Sequence, residues 1–294
     1  MRNILVVTGG AGFIGSNLIS QLLKIKKFNI VSVDNYSSGL SKNHINNKRV
    51  KYLKGSTKNT EILLKSYIDK IHSIFHFGEF ARIYQSFKKI NECFSSNIEG
   101  SSNVFNFALK NKIRLIYSAT SANLGNKGED MNLSPYAFSK AKNLELLENL
   151  KKWFGFRYEV VYFYNVYGER QICKGDMATV IGIFEDHFLR GKKLPVVKPG
   201  TQVRRFTHVY DTVKACIFAW RQNKSKHYSI ASNRSYGIIE LANLFKSKIR
   251  YLPKREGERF ASALTKMNLN NKITRLPAKI RLKDYINNFL KNNH

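Results

Sequence analysis

Short β-rich runs alternate with stretches of helical periodicity through the first half of the chain. Ile4 to Thr8, Ile30 to Asp34, Val50 to Leu53, Ser73 to Phe77 and Leu115 to Ser118 read as strands. Between them, Ile14 to Leu23, Glu61 to Ile68 and Asn97 to Leu109 carry apolar residues at helical spacing. A further helix is expected from Pro135 to Trp153, because proline is tolerated in a first turn and Leu144, Leu147 and Leu150 fall on one stripe. Tyr158 to Tyr164 reads as a sixth strand. This alternation of strands and helices predicts an α/β fold, a doubly wound parallel sheet of the Rossmann kind.

After that strand the pattern breaks. Gly, Pro and Lys punctuate Gly168 to Gly200 around one helix near Ala178 to Leu189, and Phe206 to Tyr210 then reads as a strand returning to the main body. Helices at Ile238 to Phe245 and Leu282 to Leu290 suggest a smaller mixed α/β cap. The expected division is a main domain at 1–165 with a returning segment at about 204–231, and a smaller cap from 166–203 and 232–294.

Composition narrows the function classes. The chain has 294 residues, 43% of them hydrophobic, so it can bury a substantial core and is not of disordered type. Its 50 Lys and Arg against 20 Asp and Glu give a formal charge of +30. Such an excess can mark nucleic-acid or membrane binding, but the basic residues are mostly Lys, spread over every segment among many Asn and Ile, which points to an AT-biased coding composition. Neither a nucleic-acid nor a membrane partner is expected; the charge should attract an anionic substrate and weaken with salt. Cys93, Cys173 and Cys216 are odd in number and far apart, so neither a disulfide framework nor a metal site is expected. The amino-terminal run lacks the design of a signal peptide, and a soluble, cytoplasmic protein is expected.

Two local patterns carry chemistry. Gly9-x-x-Gly12-x-x-Gly15 lies between a strand and a helix, where glycines permit a tight turn and close backbone approach to a dinucleotide pyrophosphate; the alternative is an ordinary βα turn. Nineteen residues beyond Gly15, Asp34 ends the second strand. A carboxylate there accepts bonds from ribose hydroxyls and repels a 2′-phosphate, which favours NAD over NADP; a turn-forming Asp is the alternative. Downstream, Tyr136-Ala-Phe-Ser-Lys140 places a phenol and an ammonium on one helix face, a pair able to move a proton to or from an alcohol oxygen. Lowering a phenol by two or three units toward neutrality needs roughly 3 to 4 kcal/mol, which a neighbouring ammonium and a cationic nicotinamide can supply together. Ser118, Thr120 and Ser121 close the fifth strand; a hydroxyl among them can hold a substrate oxygen or simply cap a turn.

Over nearly its whole length the chain resembles the extended short-chain dehydrogenase/reductases that act on nucleotide sugars, the NAD-dependent epimerase/dehydratase family. The likeness rests on Thr8-Gly-Gly-Ala-Gly-Phe-Ile-Gly15, His76-Phe-Gly, Asn97, the Tyr136 and Lys140 pair, Asn165-Val-Tyr-Gly168, Arg204-Arg-Phe-Thr-His-Val209 with Asp211, and Glu256-Gly-Glu-Arg259. It implies NAD as cofactor, held by Gly9, Gly12, Phe13, Ile14, Gly15, Asp34, Asn35, Phe77, Gly78, Asn97, Ser118, Tyr136, Lys140 and Tyr164. It places the catalytic hydroxyl on Thr120, beside Tyr136 and Lys140, Asn165 near the substrate diphosphate or the cofactor, and Arg204 and Arg259 on phosphate oxygens of the substrate, a solvated surface charge being the lesser alternative for each arginine. It also implies a homodimer formed through the helices near Asn97 to Leu109 and Pro135 to Trp153.

Departures from the family pattern shape the expected reaction. Where 4,6-dehydratases carry Asp and Glu after the catalytic hydroxyl, this chain has Ser121 and Ala122, which argues against dehydration and leaves oxidation at a ring carbon, C4. The outcome is then a 4-epimerase or a 4-dehydrogenase for a UDP- or GDP-linked sugar in surface glycan biosynthesis. Gly78-Glu79 replaces the usual Ala-Ala, with Arg82 in the same loop; Glu79 and Arg82 either pair with each other or read sugar hydroxyls. Ser56 stands in place of an adenine-contacting Asp, and the segment from Gly125 to Pro135 is short. These features are similar to a branch containing C4 dehydrogenases of GDP-heptoses. A non-catalytic dinucleotide-binding scaffold is the competing class.

Overall fold

The computed structural model describes residues 2–255, 257 and 273–293, the side chains of 126 and 127 excepted. In chain order the first half runs β1 (Ile4–Thr8), α1 (Phe13–Leu22), β2 (Asn29–Asp34), β3 (Val50–Lys54), α2 (Thr60–Leu64), β4 (Ile71–His76), α3 (Ile83–Lys88), α4 (Ile90–Phe94), α5 (Ser101–Lys110), β5 (Arg114–Thr120), α6 (Pro135–Phe154) and β6 (Tyr158–Phe163). The second half adds β7 (Val166–Tyr167), α7 (Val180–Leu189), β8 (Leu194–Val197), β9 (Val203–Arg205), β10 (Thr207–His208), α8 (Val209–Gln222), β11 (His227–Ala231), β12 (Ser235–Gly237), α9 (Ile238–Leu244), β13 (Ile249–Leu252), β14 (Ile273–Pro277) and α10 (Leu282–Asn292).

Eight strands form one parallel sheet in the order β14-β11-β6-β5-β4-β1-β2-β3. Period-2 alternation sends Ile4 and Val6 of β1 with Leu115 and Tyr117 of β5 to one face, where Val104 and Phe105 of α5 and Leu147 of α6 cover them. Leu5, Val7 and Ile116 point to the other face, against Leu18 and Ile19 of α1 and Val213 and Ala219 of α8. The fold is therefore the expected doubly wound α/β sheet. A third apolar cluster, with Phe184, Leu194, Leu241, Phe245 and Ile286, fills a smaller lobe built from α7, β8, α9 and α10.

Local chemistry explains the helix that carries Tyr136 and Lys140. Ser134 accepts from Ala137 N at 3.1 Å, Pro135 occupies the first turn, and Gly155, at φ 66°, closes α6 in the left-handed conformation. The expectation for Phe206 to Tyr210 is corrected. Thr207–His208 pair with β7, and the chain then turns into α8, capped by the His208 side chain on Tyr210 N, with Val209, Val213, Cys216 and Trp220 buried at helical spacing. The segment expected to belong wholly to the cap also returns β14 to the main sheet beside β11. Asp211 Oδ2 anchors the exit of β14 by accepting from Lys279 N and Ile280 N at 2.8 Å each.

Strand order reverses between β1 and β4, since β2 and β3 lie to one side of β1 and β4 to β6 to the other. In open parallel sheets, a crevice forms at that point beyond the carboxyl ends of the strands. The glycine loop leaves β1 there, and Phe77-Gly78-Glu79 leaves β4.

Candidate active site

A cavity of about 1360 Å³ opens at this crevice, lined by the glycine loop, the ends of β2, β4 and β5, the start of α6 and the 172–181 segment. Gly9 sits at φ +71°, and a Cβ there would lie 2.8 Å from the Phe77 carbonyl carbon, so the two strand exits touch backbone to backbone. A Cβ on Gly15 would lie 2.1 Å from Gly9 O, which explains how closely α1 seats on the loop. Gly12 caps α1 without a side-chain bond, and the first turn carries no acidic residue. Such a helix start is suited to an anionic pyrophosphate.

Asp34 is 7% exposed; its Oδ2 accepts from Ala11 N at 2.9 Å and its Oδ1 from Tyr36 N at 2.8 Å. Burial raises its pKa above the ordinary carboxylate value, opposed by these backbone bonds. Asp34 and Asn35 both face the cavity beside Gly9, Gly12, Phe13, Ile14 and Gly15, with Phe77, Gly78 and Ser118 across from them. Cradle, helix start and carboxylate together fit NAD.

Thr120, Tyr136 and Lys140 line the same cavity. Thr120 Oγ1 accepts from Ala122 N at 3.2 Å, so the hydroxyl caps the turn that follows. That bond uses a lone pair and not the hydroxyl proton, hence capping and substrate contact are compatible. Tyr136 N donates to Ser86 Oγ at 3.2 Å, fixing the start of α6 against α3.

Lys140 is 3% exposed, and burial lowers its pKa while Glu79 opposes that shift. Its Nζ donates to Ser118 O at 2.5 Å and makes a short ion pair with Glu79 Oε2. The other oxygen, Glu79 Oε1, accepts from Ser101 Oγ at 2.9 Å, Tyr117 OH at 3.0 Å and Asn143 Nδ2 at 3.1 Å. This corrects the expectation for Glu79. It is paired with Lys140 and not with Arg82, and although Glu79 lines the cavity, its side chain is 2% exposed and its carboxylate is engaged by protein donors.

Arg82 does line the cavity, where it donates to Ala81 O at 2.6 Å and, in a short bond, to Met177 O. Its Nε, also buried, has no partner among the described residues. Asn165, at φ +24°, lines the cavity as well and donates to Arg205 O at 2.8 Å.

Two residues expected at the cofactor are placed elsewhere. Asn97 is fully buried: its Oδ1 accepts from Phe80 N at 2.6 Å, and its Nδ2 donates to Phe80 O at 3.0 Å and Ser139 Oγ at 3.1 Å. It clamps the loop after β4 and does not line the cavity. Tyr164 shares the core face with Val160 and Tyr162, whereas its neighbours Phe163 and Asn165 face the cavity. Arg204 lies on β9, donates to Val203 O at 2.9 Å and is not among the residues lining the cavity. Arg259 lies outside the described residues. Ser56, where an Asp was usual, accepts from Lys58 N at 3.3 Å as a turn cap and lines the cavity.

The sequence reading missed Ser101, Tyr117 and Asn143 as partners of Glu79; one signal was present, since Asn143 follows Lys140 by three residues on the same helix face.

The family model for NAD dependent epimerases and dehydratases matches residues 5–231. The chain belongs to that family. It is an NAD-dependent enzyme of the extended short-chain dehydrogenase/reductase type. Among curated relatives, a putative UDP-glucose 4-epimerase of Methanocaldococcus jannaschii is 28% identical over 258 residues, covering 84% of this chain and 83% of that protein. A UDP-N-acetyl-alpha-D-glucosaminuronate decarboxylase of Bacillus cytotoxicus is 32% identical over 265 residues, covering 82% and 79%. Among solved structures, the UDP-N-acetylglucosamine 4-epimerase of Methanobrevibacter ruminantium superposes with TM-score 0.84 at 26% identity, covering 99% of this chain and 98% of that one. Among the described residues, no helix is long and apolar enough to cross a membrane.

Proposed function

We propose that this family member oxidises the C4 ring hydroxyl of a nucleotide sugar, the step shared by 4-epimerases and 4-dehydrogenases. The observation that carries the reading is the convergence of Thr120, Tyr136 and Lys140 on the cavity that the glycine loop and Asp34 also line. NAD, when bound, supplies the hydride acceptor. Tyr136 takes the hydroxyl proton as general base, Thr120 holds the substrate oxygen, and Lys140 orients the cofactor ribose beside the tyrosine. Asn165 and Arg82 contact the substrate from the cavity wall, and the 4-epimerase names of two relatives support the C4 position. Ser121 and Ala122 supply no acid/base pair, so dehydration is outside the proposal. A homodimer through α5 and α6 is part of the same reading, and its mass in light scattering checks it.

The experiment is incubation with NAD and a panel of UDP- and GDP-sugars, following absorbance of the reduced cofactor and product identity. An epimerised sugar without net reduction identifies a 4-epimerase, and a released keto sugar identifies a 4-dehydrogenase. Tyr136→Phe should lower turnover by roughly 100-fold or more, the usual size of a lost general base. Full activity of that variant on the true substrate would refute the mechanism.

A further inference from the structure

A one-way chain of hydrogen bonds joins the glycine loop to the reactive lysine. Thr8 Oγ1 accepts from Phe77 N at 3.1 Å and Gly78 N at 3.0 Å, so its single proton goes to His76 Nδ1, 2.7 Å away. His76 is then the Nε2–H tautomer and donates to Ser101 Oγ at 2.9 Å, which frees the Ser101 proton for Glu79 Oε1. With Ser101, Tyr117 and Asn143 donating to one oxygen and Lys140 to the other, the Glu79 carboxylate is the acceptor in every one of these contacts.

We propose that Glu79 is a positioning residue for the Tyr136 chemistry and acts through Lys140. Two of the three ammonium N–H groups are engaged, one by Glu79 and one by Ser118 O, which fixes the Nζ 4.6 Å above the Tyr117 ring with one donor remaining for a ligand. The same carboxylate keeps a lysine charged where burial works against its charge, and it tempers the field that the ammonium exerts on the tyrosine. A cleft floor of this kind is set for a higher working pH than one holding an unpaired lysine. The inference rests on Tyr136 being the base, and the titratable groups packed around the pair are His76 from β4, Cys93 from α4, Tyr117 from β5 and Tyr136 itself.

The test is Glu79→Gln, which removes the charge and retains an oxygen acceptor. With lysine side chains labelled with nitrogen-15, the Lys140 Nζ of the variant should titrate about 1 to 3 pH units below that of the unsubstituted protein, the shift expected on losing an opposite charge at contact. On whichever sugar of the panel is turned over, both limbs of the kcat profile should move to lower pH, because two proton-binding groups lose a neighbouring negative charge. Unmoved titration and unmoved limbs with a lower melting temperature would make Glu79 merely structural and overturn the proposal. If the variant does not fold, the unsubstituted protein decides: Nζ that remains an ammonium above pH 8 supports the role, and a neutral amine at pH 7 overturns it. If the titration shifts while Tyr136→Phe stays active, the function proposed above fails and the Glu79–Lys140 linkage stands.

Discussion

His76 should make this protein acid-labile in a way that one substitution can isolate. The ring is fully buried between Thr8 and Ser101, and burial lowers its pKa from 6.5 to about 4. In the fold it is neutral, with Nδ1 accepting; protonation would turn that acceptor into a donor facing a hydroxyl whose own proton already points at it. Because the folded pKa is depressed, the associated stability is present above the unfolded value of 6.5 and is lost as pH falls toward 4. The full difference is about 3 kcal/mol, of which about 2 kcal/mol is already gone at pH 5. Asp34, Glu159 and Glu185 have raised pKa values from burial and act with the opposite sign, stabilising as pH falls. A difference measurement therefore separates His76 from them. Urea unfolding of the wild-type protein and of His76→Gln, whose amide nitrogen can still donate toward Ser101, should be compared at pH 7, 5 and 4. The variant starts less stable at pH 7 and loses about 3 kcal/mol less across the range. If the two proteins lose stability in parallel, His76 is not the neutral, one-way link described here.

Three further substitutions probe the cavity wall. Gly15→Ala introduces a Cβ 2.1 Å from Gly9 O and 2.8 Å from Gly9 C, backbone atoms that no rotamer change can move, so NAD affinity by fluorescence titration should fall at least about tenfold, the equivalent of an overpacking strain of 1–3 kcal/mol. Asp34→Ala orphans Ala11 N and removes the carboxylate from the cavity; calorimetry should show NAD binding weakened by about 1–3 kcal/mol and the preference over NADP reduced. Arg82→Ala releases Met177 O and removes a cation from the wall, so KM for the sugar nucleotide should rise about tenfold with NAD affinity unchanged; equal loss of both would place Arg82 at the cofactor instead.

What the sequence made legible divides along a physical line. The glycine loop, Asp34 and the Tyr136–Lys140 spacing were readable because each is a local pattern whose chemistry is set by backbone geometry within one βα unit or one helix face. α8 was not, because Phe206 to Tyr210 is β-rich by composition and the cue that starts the helix is a histidine cap, a residue type outside the usual capping set. Tyr164 was misplaced by one residue of strand parity: with Val160 and Tyr162 on the core face, alternation alone puts Phe163 and Asn165 at the cavity. The surroundings of Glu79 were hidden for a different reason. Its partners come from α5, β5 and two turns of α6, so no window of sequence contains them. An unfamiliar acid beside a sugar pocket invites a substrate role when its spatial neighbours are unknown. A carboxylate buried to 2% exposure among four donors is instead committed to the protein, and its effect on the reaction passes through the one donor, Lys140, that also faces the cavity.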